Sequence, residues 1–190
     1  MTPQGLESNK ENICTTETSP PEIFEAYIKQ HRKDFSAFLS SRGEEMVRGG
    51  HMVLTFVGGR LKDHASLKQA TLISLLGKTL AEMVAEGVIK EADLHSFNLP
   101  IYPPSKEQVE EIVRSEGSFD LNELEEFALP WDVHVTSSAK LDKNGWAKLV
   151  TNFIRAFSEP TLAAHFGSSI MNEVFERYGK KMVESNLEMR

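Results

Sequence analysis

Apolar residues fall at helical spacing in the first long segment of the chain. Within 20–47 they recur every three or four positions, which places them on one face of a helix. Ser19 is a suitable N-cap, Pro20 suits the first turn, and Gly49 follows the last periodic residue. The pattern predicts an amphipathic helix over 20–47.

Two shorter segments have the apolar pattern of β-strands. Residues 52–57, MVLTFV, form a nearly continuous apolar run that ends in two glycines, as in a strand buried on both faces. Residues 118–129, SFDLNELEEFAL, alternate at first, with Phe119 and Leu121 on one face. We therefore predict a strand at each position.

Helical spacing returns in the rest of the chain, and 130–145 is predicted as a loop. The connector 94–109, LHSFNLPIYPPSKEQV, is stiffened by three prolines and ends in an S-x-x-Q capping box, Ser105 and Gln108. We predict four further helices, over 65–86, 105–117, 145–165 and 168–186.

This order of elements is typical of an α/β protein. A helix that leads directly into a buried strand is common where helices cover both faces of a parallel sheet. Two isolated strands do not make a stable sheet on their own, however. The sequence therefore predicts an α/β fold that contains only part of its sheet.

The composition excludes several classes of function. The chain has 190 residues and a formal charge of −7, whereas a nucleic-acid-binding surface would be basic. No run of about 18 apolar residues occurs, so no membrane-spanning helix is expected, and the polar N-terminus does not resemble a signal peptide. Cys14 is the single cysteine, which fits a reducing compartment and predicts a cytoplasmic location.

Common catalytic motifs do not occur in the sequence. The glycine pairs at 49–50 and 58–59 form neither a dinucleotide-binding loop nor a P-loop. None of the six histidines pairs with another at helical spacing, which argues against a zinc site. Four aromatic residues lie in or near proline-rich segments, where they either pack in the core or line an apolar pocket; they are Phe97, Tyr102, Phe127 and Trp131.

Five strings, taken together and in order, are typical of one family. They are GLESNKENI, DFSAFLSSRGEEMVRGGHMVLTFVG, EMVAEGVIKEADLHSFNLPIYPPSKEQV, EGSFDLNELEEF and IRAFSEPTLAAHFGSSIMNEVFERY. The chain resembles the plant SABATH family of S-adenosylmethionine-dependent carboxyl methyltransferases. The resemblance runs over almost the whole chain but matches only the C-terminal half of the family.

The resemblance implies a partial Rossmann-like methyltransferase sheet with an α-helical cap, in which the N-terminal cofactor-binding strands are missing. The expected parts are a polar leader at 1–18, a helix and strand of the sheet domain at 19–63, a cap segment with the proline-rich connector at 64–117, and a strand with the C-terminal helices at 118–190.

The resemblance also implies three residues of an acceptor pocket. Tyr102 matches a family tyrosine that lines this pocket. Ile73 and Ile154 stand where salicylate-type members have a tryptophan and a methionine, so the pocket is expected to be wider or differently shaped. No catalytic or cofactor-binding residue is carried over, because the donor site belongs to the missing half.

Some family members have a magnesium site, and the resemblance implies that three of its ligands are Asn9, the backbone oxygen of Phe97, and Asn98. His95 stands in place of the family's acid. Because Mg²⁺ prefers hard oxygen ligands, a magnesium cofactor would depend on the other three residues.

The implied activity is methylation of the carboxyl group of a small plant acid, with S-adenosylmethionine as donor. A carboxylate is already a nucleophile, so catalysis would rest mainly on proximity and orientation. Without the donor-binding half, we expect this chain to be inactive alone. The alternative is a non-catalytic interaction protein that dimerises with an intact family member, which stable co-purification with such a relative would favour.

Overall fold

The structure of the chain, a computed structural model, has helices as its regular secondary structure in the residues that it describes. These are 2–9, 12–16, 18–59, 64–127 and 142–185, with side chains for all of them except 64–70. The helices are α1 (Pro21–Glu45), α2 (His64–Ala85), α3 (Glu91–His95), α4 (Lys106–Glu116), α5 (Lys143–Phe166), a short 3₁₀ turn (Ser168–Ile170) and α6 (Met171–Glu184). The five predicted helices are confirmed, and α3 is an additional one.

Local hydrogen bonds explain where α4 begins, whereas α1 has no side-chain cap. At α4 the capping box forms as predicted: the Gln108 N–H donates to Ser105 Oγ, and the Ser105 N–H donates to Gln108 Oε1. The predicted cap of α1 is wrong, because Pro20 occupies the N-cap position. The hydroxyl of Ser19 donates instead to Asn9 Oδ1, at 2.9 Å.

The largest core lies among α2, α5 and α6, and we call it the three-helix core. Burying one aliphatic side chain fully is worth about 1.5–3 kcal/mol, so this core carries most of the apolar stabilisation. Its most deeply buried members include Leu76, Leu80, Val150, Leu162, Met171 and Tyr178.

The N-terminal segment lacks regular secondary structure, as predicted, but it is packed into the fold. Ile13 is buried in the three-helix core, and its carbonyl oxygen accepts a hydrogen bond from the Leu99 N–H at 2.6 Å. Leu6 is buried in a small cluster with Ile23 and Tyr27. The segment is therefore an integral part of the described structure.

Helices α1 and α4 form a second, smaller unit, which we call the α1–α4 layer. An ion pair on the surface also joins the two helices: Arg32 Nη2 of α1 donates to both carboxylate oxygens of Glu111 of α4, at 2.9 and 3.0 Å. The buried residues of the layer are Phe35, Leu39, Val109, Ile112 and Val113.

Neither predicted strand forms, and the residues described contain no strand. Residues 52–57 and the described part of 118–129 lack regular secondary structure. Val53 and Val57, expected inside a sheet, are 92% and 66% exposed. A strand needs a neighbouring strand to pair its backbone groups, and the described part of the chain supplies none. The partial sheet of the α/β prediction is therefore absent from these residues.

The segment before α5 lies mostly outside the described residues. Residues 130–141 of the predicted loop 130–145, including Trp131, lie outside the described residues. Helix α5 begins two residues earlier than predicted, because the Asp142 carboxylate caps it by accepting a hydrogen bond from the Gly145 N–H at 2.7 Å. Within the described ranges, no helix has the length and apolar character that crossing a bilayer requires.

Candidate functional site

The connector between α3 and α4 is held at Leu99 from two sides. The Leu99 N–H donates to the Ile13 carbonyl at 2.6 Å, and the Tyr27 hydroxyl donates to the Leu99 carbonyl at 2.7 Å. Pro100 restricts the next backbone step. As a result, Tyr102 leaves the connector from a well-anchored backbone.

A cavity of about 100 Å³ lies between α1 and the connector. Tyr27 and His31 are four residues apart on α1 and so share a face of the helix. The His31 ring lies tilted against the Tyr102 ring, with centroids 5.4 Å apart. The volume is smaller than the roughly 300–1,000 Å³ of a typical ligand pocket, so this cavity would hold only part of a ligand. Its lining residues are Tyr27, Gln30, His31, Asp34, Pro100 and Tyr102.

The Tyr102 hydroxyl is positioned by the capping box of α4. It lies 3.0 Å from Gln108 Oε1 and 2.8 Å from Gln108 Nε2. The same Oε1 accepts the Ser105 N–H. Burial raises the pKa of Tyr102, and its hydrogen bond to Gln108 acts in the opposite direction. Tyr102 is therefore a neutral phenol held by the start of a helix.

Two titratable groups that line the cavity, His31 and Tyr27, favour their neutral forms. Burial lowers the pKa of His31, opposed by the negative charge of Asp34. Burial, with a smaller contribution from Cys14, raises the pKa of Tyr27. Burial also raises the pKa of the Cys14 thiol to about 12, which leaves it unreactive. His31 and Tyr27 can hold and orient a ligand. Cys14 is buried in the three-helix core and does not line the cavity, and none of the three is an activated nucleophile.

The other two predicted acceptor residues lie away from this cavity. Ile73 on α2 and Ile154 on α5 are both buried in the three-helix core, so the structure brings these two into one cluster. Tyr102 packs instead beside Ile23 and Tyr27. The cavity next to Tyr102 is not lined by either isoleucine, and the acceptor role of all three residues stays a prediction.

Of the residues predicted for magnesium, only two have side chains that meet. Asn9 Nδ2 donates to Asn98 Oδ1 at 2.9 Å. The role implied for Phe97 is that of its backbone oxygen, which stays a prediction, while its ring is buried in the three-helix core. His95 Nε2 is directed to Glu91 Oε1, at 3.7 Å. Among the residues described, no group of three or more His, Cys, Asp or Glu side chains could hold a metal ion. The residues present do not fit a magnesium site, which needs oxygen ligands in near-octahedral geometry.

Sequence reasoning missed the two α1 residues that face the connector. The helical spacing of 20–47 places Tyr27 on the apolar face of that helix, but its partner Leu99 is 72 positions away. The i, i+4 spacing of Tyr27 and His31 was the available signal, but it does not identify the partner. Of the four aromatic residues singled out, Phe97 is in the core and Phe127 is exposed, so Tyr102 alone of the described three lines the cavity.

Comparison with known proteins gives one consistent result. The family model described as SAM dependent carboxyl methyltransferase matches residues 1–190. A benzoic acid/salicylic acid carboxyl methyltransferase of Petunia hybrida is 41% identical over 176 residues, covering 93% of this chain and 48% of the relative. Salicylate carboxymethyltransferase of Clarkia breweri is 39% identical over 188 residues, covering 96% and 51%.

A solved structure agrees with these relatives. Loganic acid methyltransferase with SAH has a TM-score of 0.77 and 32% sequence identity, and the match covers 95% of this chain and 49% of that one. The chain thus spans about half the length of the relatives that it matches. It belongs to the plant SABATH family of S-adenosylmethionine-dependent carboxyl methyltransferases.

Proposed function

We propose that this chain supplies the acceptor side of a methyltransferase that esterifies the carboxyl group of a small plant acid. S-adenosylmethionine would be the donor, and the 190 residues alone would be inactive. The observation that carries the proposal is the match of a carboxyl methyltransferase family model to residues 1–190. The names of three relatives refer to benzoic, salicylic and loganic acids, which supports an organic acid as the acceptor class.

The chemistry asks little of the acceptor side beyond orientation. When bound, S-adenosylmethionine supplies a methyl group that a carboxylate oxygen can accept directly. The residues of this chain would fix the acid and exclude water, which raises the rate through proximity. The anchored Tyr102 and the neutral His31 ring beside it are suited to that task.

The charge of Asp34 bears on the orientation of the acid. Its carboxylate lines the cavity, and like charges repel at short range. We therefore place the apolar body of the acid, and not its carboxylate, against Tyr102 and Pro100. The carboxylate would face away from α1, towards the donor.

The donor site is the part that the described residues do not provide. A nucleotide-type cofactor is commonly held by a glycine-rich loop between a strand and a helix. No strand is present in the ranges that the structure describes, and neither glycine pair of the sequence has the required spacing. These residues do not fit the cofactor, so no catalytic step is assigned to them.

Calorimetry with S-adenosylmethionine tests the division into two sides. The purified chain, first shown to melt cooperatively, should not bind the cofactor. Fused behind the donor-binding half of the Clarkia breweri enzyme, it should form methyl esters from a panel of small acids, and a Tyr102→Ala fusion should lose most of this activity. Micromolar binding of the cofactor to the chain alone would contradict the proposal.

A second candidate function follows from the exposed apolar run at 53–57. Val53, Leu54, Phe56 and Val57 are all exposed, and such runs recruit further chains. They favour a non-catalytic subunit that pairs with an intact relative in the cytoplasm. Light scattering of the chain mixed with the Petunia hybrida enzyme should then show a heterodimer. Two separate species would contradict this second candidate and leave the methyltransferase proposal as the remaining one.

A further inference from the structure

We propose that Asn9 and Asn98 form a latch that is complete without a metal ion and fastens the N-terminal segment to the connector. Asn9 is 2% exposed and Asn98 is 9% exposed. Polar groups this deeply buried are costly unless they are hydrogen-bonded. The hydrogen bonds of the two side chains should therefore explain why they are buried.

Every polar atom of the Asn9 side chain has a partner. Nδ2 donates to Asn98 Oδ1 at 2.9 Å and to the Cys14 carbonyl at 3.1 Å. Oδ1 accepts the Ser19 hydroxyl at 2.9 Å. An amide carries two N–H donors and one carbonyl acceptor, and all of them are used here.

The network also fixes the direction of the Asn9 amide. In the opposite orientation its oxygen would face two other oxygens, those of Asn98 and Cys14, and both hydrogen bonds that its NH₂ donates to them would be lost. A cation between Asn9 and Asn98 would need both amide oxygens to point at it. That arrangement would break the bonds to Asn98 and Cys14, so hydrogen bonding and metal binding exclude each other here.

The latch lies next to the point where the connector is anchored. Asn98 precedes Leu99, whose N–H donates to Ile13, so the segment and the connector are joined at two consecutive positions. Ser19 extends the network by accepting the Thr16 N–H at 3.0 Å. The latch thus links the start of α1, the N-terminal segment and the connector, without help from a bound ion.

Hydrogen exchange and thermal melting of the 190-residue chain, with and without millimolar MgCl₂, test the latch. In the wild type, Mg²⁺ should change neither the melting temperature nor the exchange of 12–16. Asn98→Ala should lower the melting temperature and speed exchange in 12–16 roughly tenfold or more, because Asn9 loses a buried partner. The control Asn152→Ala, at an exposed position of α5, should do neither.

Three results would overturn the latch. One is a rise in the wild-type melting temperature with Mg²⁺. Another is an Asn98→Ala chain that behaves like Asn152→Ala. If Asn98→Ala does not fold, Ser19→Ala serves as the milder variant. It removes the donor to Asn9 Oδ1 and also the acceptor of the Thr16 N–H, so exchange is then followed over 12–15, and unchanged exchange there would be the third.

Discussion

The three-helix core and the α1–α4 layer differ in the number of buried residues and in the exposure of the apolar segments next to them. Among the residues whose side chains the structure describes, 20 are buried in the three-helix core and five in the α1–α4 layer. Beside the layer lies the apolar run at 53–57, with Val53 almost fully exposed. Helices complete their backbone hydrogen bonds within themselves, so a helical region can be finished by side-chain packing alone.

The α1–α4 layer is not finished by side-chain packing in this way. The segment beside it, 53–57, has the apolar pattern of a buried strand. The Phe56 ring packs edge-on to Phe35, with centroids 5.2 Å apart, so the run does cover one side of the layer. Its other side chains still face solvent. The difference teaches that the stability of this chain should depend on the three-helix core, while its interactions should depend on the layer and the run beside it.

The largest expected effect comes from a cavity in the three-helix core. Leu80 is fully buried, so Leu80→Ala should lower the free energy of unfolding by about 2–5 kcal/mol. The same change at the partly exposed Leu54, beside the α1–α4 layer, should cost less than about 1 kcal/mol. Urea denaturation of both variants measures the difference. Equal losses would mean that the two regions do not differ as described.

A medium effect is expected where the α1–α4 layer meets the connector. Ser105→Ala removes the side-chain acceptor for the Gln108 N–H, and loss of such a cap costs about 0.5–2 kcal/mol. The control is Ser41→Ala on α1, where the hydroxyl only bonds back to the Ala37 carbonyl and its loss should be nearly neutral. Thermal melting of the pair compares them, and a harmless Ser105→Ala would show that the capping box does not stabilise this layer.

The sequence was sufficient for the five longer helices, though not for the short α3, because their signals are local. The capping box of Ser105 and Gln108 spans three residues, and α4 begins where that pattern predicts. The strand prediction at 52–57 failed because apolar patterning gives the propensity of a segment but cannot supply the partner strand. Only the structure could show that no described segment pairs with it.

The candidate site depended on contacts between distant residues. Tyr27 and Leu99 are 72 positions apart, and Asn9 and Asn98 are 89 apart. The family resemblance brought Asn9 and Asn98 to notice as metal ligands. Their hydrogen bonds, which no sequence pattern specifies, indicate a different role.

A smaller effect is expected from acid titration of His31, which stacks on Phe35 of the α1–α4 layer at 5.8 Å. Burial holds its pKa below the ordinary value of about 6.5, so the folded state binds this proton more weakly than the unfolded state. The stabilising contribution is present above about pH 6.5 and is lost as the pH falls through the folded-state pKa.

The variant His31→Phe should flatten this part of the pH profile while keeping the stacking on Phe35 and Tyr102. Unfolding free energies measured across the acid range provide the comparison. The carboxyl of Asp34, whose pKa is lowered chiefly by the Gln30 hydrogen bond, titrates in both chains. Its charge acts on His31, so the difference between the profiles includes the interaction of these two groups. Parallel profiles would show that the pKa of His31 is the same in the folded and the unfolded chain, and would contradict the prediction.

The smallest effect is expected at the ion pair that joins α1 to α4. Arg32 and Glu111 are both exposed and share two hydrogen bonds, and exposed pairs contribute about 0.2–1 kcal/mol. Arg32→Gln, Glu111→Gln and the double variant form a cycle whose coupling energy should lie in this range and fall with added salt. Because the layer has only five buried residues, a coupling well above that range would mean that charge compensates for its small core, and the layer would then be more self-sufficient than its packing indicates.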